Sequence, residues 1–95
     1  MKRRVEEWLA RAEIDLESAE LLRSNSRVYP STLFHVHQAI EKALKAALEA
    51  RGATVPRSHD LQQLFTLVSG DPGAPPLESE TLNQVNAVYL MSRYP

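Results

Sequence analysis

Two long stretches of the chain repeat apolar residues in steps of three and four. Val5, Leu9, Ala12, Leu16 and Ala19 make the first, and Leu33, His37, Ile40, Leu44 and Ala47 the second. A helix returns to one face at that spacing, whereas a strand returns at every second residue. Both stretches are therefore expected as amphipathic helices, over residues 3–24 and 31–51. No alternating segment competes with them, so the chain is expected to be all-α. Splitting 95 residues in two would leave each half too small for a useful core, so residues 1–95 are expected as one domain. Cysteine is absent, which excludes disulfides and thiolate zinc sites. The helices have to be held together by packing.

The segments between the stripes supply the stops. Pro30 suits the first turn of the second helix, where a missing N–H costs nothing, and Gly52 suits the left-handed position just past its end. Ser58 is the expected N-cap of a short third helix, residues 59–69, that buries Leu61, Leu64, Phe65 and Val68 before Gly70 ends it. Residues 71–76 are rich in proline and glycine and have no helical option. A fourth helix is expected over 78–93, on Leu82, Val85, Val88 and Tyr89. Most acids of the first helix (Glu6, Glu7, Glu13, Glu17, Glu20) lie off its stripe, but Asp15 shares a flank with Trp8, Ala12, Ala19 and Leu22. Asp15 is expected either to pair with a neighbouring helix or to serve a site.

Eleven Lys and Arg against twelve Asp and Glu give a net charge of −1, so no global nucleic-acid footprint is present. A phosphate-binding surface has to be local, drawn from Lys42, Lys45, Arg51, Arg57 or Arg93. No apolar run approaches the roughly 20 residues that span a bilayer. The basic start is followed by Glu6 and Glu7 rather than by an apolar segment, unlike a secretory signal. A cytoplasmic protein with no membrane association is expected.

Residues 34–48, Phe-His-Val-His-Gln-Ala-Ile-Glu-Lys-Ala-Leu-Lys-Ala-Ala-Leu, resemble the second-helix signature of HEPN domains. Three further pieces follow the order of that family. Residues 12–19, Ala-Glu-Ile-Asp-Leu-Glu-Ser-Ala, look like its first helix. Ser58-His59-Asp60-Leu61 with Leu64 looks like its loop-to-helix turn, and Tyr89 with Ser92-Arg93-Tyr94-Pro95 is similar to its arginine-tyrosine-proline ending. The resemblance spans about residues 5–95. It implies an antiparallel four-helix bundle from a bacterium or archaeon, usually dimeric, that acts beside a minimal nucleotidyltransferase, often as a toxin–antitoxin pair. The family normally continues into another helix, so this chain is expected either as a short form without that last helix or as a piece of a longer protein.

Several relatives are metal-independent endoribonucleases carrying an arginine, four to six residues, then a histidine. Such cleavage needs a base for the 2′-hydroxyl and a cation for the phosphorane charge. No arginine here has a histidine at that distance: Arg27 precedes His35 by eight positions and Arg57 precedes His59 by two. Only Tyr94 and Pro95 follow Arg93, so the motif is incomplete within these residues.

His37 lies on the apolar stripe, as a hydrogen-bonded core histidine or a site residue. His35 lies about 200° around the helix from it, so the two cannot clamp one metal. His37 and Glu41 are one turn apart, but no third metal ligand is evident. His59, between Ser58 and Asp60, either organises its loop or contacts phosphate. Glu41 and Lys45 form an i,i+4 pair in the favourable orientation, while Lys42 or Lys45 can reach Asp15 across a helix interface. A phosphate pocket is expected from His37, Lys45 and Arg93, supported by Asp15, Glu41, Lys42 and His59, with no metal and no cofactor. His37 and Lys45 are about 12 Å apart along the helix, so an extended ligand or two subunits suit them better than one phosphate.

Three functions remain open at this point. The first is a helical module that binds a nucleotide or nucleic acid, a minimal nucleotidyltransferase, or both, as a homodimer. The second is a metal-independent endoribonuclease toxin. The third is a structural dimeric adaptor.

Overall fold

The computed structural model describes residues 2–69. In it, α1 (Lys2–Leu22) is followed by a 3₁₀ turn (Ser26–Val28), α2 (Tyr29–Ala50) and α3 (Leu61–Val68), with no strand among the described residues. The all-α expectation holds. The fourth helix, the Gly70 stop and Arg93 lie outside the described residues. Among the described residues no helix is long and apolar enough to cross a membrane.

Local chemistry sets each boundary. The Asn25 side chain accepts a hydrogen bond from the Arg27 N–H at 3.1 Å, capping the 3₁₀ turn, and Pro30 sits in the first turn of α2. Gly52 closes α2 with φ 78°. The Ala53 N–H donates to Leu48 O and the Gly52 N–H to Glu49 O, each at 3.0 Å. This reciprocal pair satisfies the last carbonyls of α2 and needs a residue that tolerates the left-handed region. The cap of α3 is Asp60 rather than Ser58. Asp60 Oδ1 accepts from Gln62 N–H at 2.9 Å and from Gln63 N–H at 3.4 Å. Ser58 Oγ instead accepts from Asp60 N–H, two residues upstream, because the helix starts at Leu61.

Two separate faces of α2 are buried. One packs Leu44 and Leu48 against Leu61, Leu64 and Val68 of α3, with Ile40, Ala47, Ala53, Val55 and Phe65 around them. Each fully buried side chain of this kind stabilises by about 1.5–3 kcal/mol. The other face carries Thr32, Ala39, Ala46 and Glu49 and meets α1 antiparallel, with Arg4 beside Glu49 and Asp15 beside Lys42. Small residues at such a crossing let helix axes approach closely.

The buried seam of α1 corrects the stripe expected from spacing. Ala12, Asp15 and Ala19 are buried, flanked by half-buried Val5, Trp8 and Leu22. Leu9 and Leu16 remain 44% and 52% exposed. The seam has the same three-four period but is rotated towards Asp15, because Asp15 finds two hydrogen-bonding partners on α2, Lys42 and His35. A carboxylate so paired can sit where an unpaired one cannot.

Candidate functional site

Charged and titratable side chains gather on α2 in two clusters. In the first, Asp15 of α1 reaches across to α2. Its Oδ2 accepts a hydrogen bond from Lys42 Nζ, and its Oδ1 lies 2.9 Å from His35 Nδ1. A carboxylate only accepts, so that contact puts a proton on Nδ1. Asp15 is thus the staple between the two long helices, and Lys42 rather than Lys45 is its lysine.

The second cluster centres on Glu41. Its Oε2 accepts from Lys45 Nζ at 2.9 Å and lies 3.0 Å from His59 Nδ1, with Oε1 at 3.1 Å from the same nitrogen. His37 Nδ1 is 3.8 Å from Oε1, an electrostatic contact longer than a hydrogen bond. Glu41 and Lys45 are buried and His37 is 0% exposed. The i,i+4 pair that spacing puts on a helix is therefore an interior one, far more sensitive to losing a partner than a surface pair. The Lys45 ammonium also lies 5.5 Å from the Trp8 ring centroid, within cation–π range.

His59 stands apart from the other members. Its side chain is 57% exposed, on the loop that leads into α3, and exposed Arg57 lies two positions before it. The buried Glu41 carboxylate fixes the ring's tautomer and direction from below, as a carboxylate does for histidines that handle protons or anions. The structure thus gathers His37, Glu41, Lys45 and His59, sets Asp15, Lys42 and His35 together as a separate staple, and leaves Arg93 outside the described residues. Spacing alone missed the link between Glu41 and His59, which are separated by the Gly52 reversal. The glycine stop followed by a Ser-His-Asp turn was the available signal.

With this geometry in hand, comparison with protein families is decisive. The HEPN domain model matches residues 5–95. The chain belongs to the HEPN family. No curated protein and no solved structure matches it. Within this HEPN domain, α1 and α2 supply the staple and α2 with the loop before α3 supplies the Glu41 cluster.

Proposed function

We propose that this HEPN chain is a binding module that holds the phosphate of a nucleotide or an RNA and engages a minimal nucleotidyltransferase, as a homodimer in a toxin–antitoxin-type pair. The observation that carries the phosphate contact is the exposed His59, oriented by the buried Glu41 carboxylate, with exposed Arg57 two positions earlier in the same loop. An imidazolium and a guanidinium fork are the donors that a phosphate takes up. Buried His37 and paired Lys45 act behind His59, holding Glu41 in place, and Arg93 is the further cation proposed for the phosphate. One observation favours an endoribonuclease as the second reading, since a carboxylate-oriented histidine is also how a general base is held.

The test is titration of the purified chain with ATP and with a short RNA at low salt. Saturable, salt-dependent binding is expected, weakened more by Arg93→Ala than by Lys2→Ala. Equal effects, or no affinity for either ligand, overturn the proposal and leave the structural dimeric adaptor. Intact RNA after incubation supports the module, whereas cleavage that His59→Ala abolishes assigns the second reading. Co-purification with a nucleotidyltransferase encoded beside the chain tests the partner.

A further inference from the structure

Trp8 is the aromatic residue of the α1 seam, set among Ala12, Asp15 and Ala19. Its ring meets the Lys45 ammonium of α2, 5.5 Å from the centroid. That ammonium belongs to the interior: 7% of the Lys45 side chain and 4% of the Glu41 side chain are exposed. A lysine stem is long and flexible, and it carries its charge to water wherever a path exists. The bond to Glu41 Oε2 at 2.9 Å engages one of its three donors. An indole face attracts a cation, more strongly where water is excluded. Trp8 thus gives the ammonium a second reason to stay inside. A leucine at position 8 would fill the seam but offer the charge nothing.

The position of the ammonium matters because Glu41 has competing neighbours. Its two oxygens lie 3.0 and 3.1 Å from His59 Nδ1, while His37 Nδ1 stands 3.8 Å from Oε1. A turn of the carboxylate towards His37 draws it away from His59. Lys45 on Oε2 opposes that turn, so the carboxylate keeps facing the loop. Trp8, Lys45, Glu41 and His59 therefore form one line from α1 through α2 to the loop before α3. The same ring also carries the exposed Arg11 guanidinium, 5.8 Å from the centroid. Among the described residues no bond leads from Arg11 to Glu41.

We infer that Trp8 is a positioning residue for His59. Its ring holds Lys45 on Glu41, and Glu41 so held keeps the Nδ1 proton of His59 on the carboxylate side. The functional consequence rests on the phosphate reading above: a ring already fixed in one tautomer and one direction loses less freedom when it binds.

Trp8 is the sole tryptophan of the chain, so fluorinated tryptophans incorporated during expression enter at this one site. Fluorination withdraws charge from the ring face while nearly keeping its shape, which separates attraction for Lys45 from packing. Nitrogen nuclear magnetic resonance of the neutral His59 ring, without ligand, reads the share of the Nδ1–H tautomer. That share is expected to fall stepwise as fluorines are added, with helicity by circular dichroism unchanged. Trp8→Leu is expected to lower it further, and Trp8→Phe, which keeps an aromatic face, to retain more of it. In a Lys45→Gln background fluorination is expected to change nothing, because the ring has no ammonium to hold. Arg11→Ala, which takes the other cation off the ring, is expected not to lower it. Affinity for a short RNA at low salt is expected to fall in parallel, about three- to tenfold for Trp8→Leu. A tautomer share indifferent to fluorination, or one that falls equally in the Lys45→Gln background, overturns the inference. Trp8→Phe faring no better than Trp8→Leu overturns it too. Because the ring is read without ligand, a wild type that binds no RNA overturns the phosphate reading alone, and the fluorination series still decides the inference.

Discussion

Glu41 is the residue on which the interior depends. It is buried, and it accepts from Lys45 and from His59 while facing His37. Glu41→Ala removes the acceptor and strands a lysine in the interior, which is expected to cost about 3–5 kcal/mol. Urea unfolding checks this, and a loss below about 1 kcal/mol contradicts the interior pair. The double variant Glu41→Leu, Lys45→Met removes both charges together and is expected to recover much of that loss, because no uncompensated charge remains. At this scale the sequence was legible in residue type but not in setting. An i,i+4 Glu–Lys spacing is the same on a wet surface and in a dry seam. Only the arrival of His59 from beyond Gly52 distinguishes the two, and tertiary closure brings it there.

The helices themselves were legible, and their faces less so. The three-four period places α1 and α2 within two residues of their observed ends, since Pro30 and Gly52 act through their own backbones. The buried face of α1 was legible in part: the flank of Trp8, Ala12, Asp15, Ala19 and Leu22 is the seam, whereas Leu9 and Leu16 of the expected stripe stay exposed because packing selected the small residues around a paired Asp15. The core between α2 and α3 has no such ambiguity. Leu44→Ala there is expected to cost about 2–5 kcal/mol in denaturant unfolding, as full burial in a packed cluster requires. Asp60→Ala, which strips the N-cap of α3, is expected to cost about 1 kcal/mol by the same measurement. Ser58→Ala should cost less than Asp60→Ala, and the opposite ranking contradicts the assigned cap.

On the scale of the whole molecule, α1 leaves Leu9, Ile14, Leu16 and Leu21 exposed. Leu9 and Leu16 lie on one side of α1 and Ile14 and Leu21 on another, apolar area that a second copy of the chain would cover. Homodimerisation is accordingly expected, and light scattering on the purified chain at micromolar concentration checks it. A monomer mass without any partner present contradicts it. Family membership was legible because its signature is local, in the glutamine-alanine-x-glutamate-lysine run of α2. The site was legible only in part, because Glu41, Lys45 and His59 become one cluster through the fold. Histidine-selective nuclear magnetic resonance during titration with a short RNA at low salt tests the phosphate contact most directly. The account predicts that the His59 ring signals shift saturably and return as salt is added, while those of buried His37 and of His35, held by Asp15, move far less. RNA binding that leaves His59 unmoved, or an absence of any shift, would contradict it.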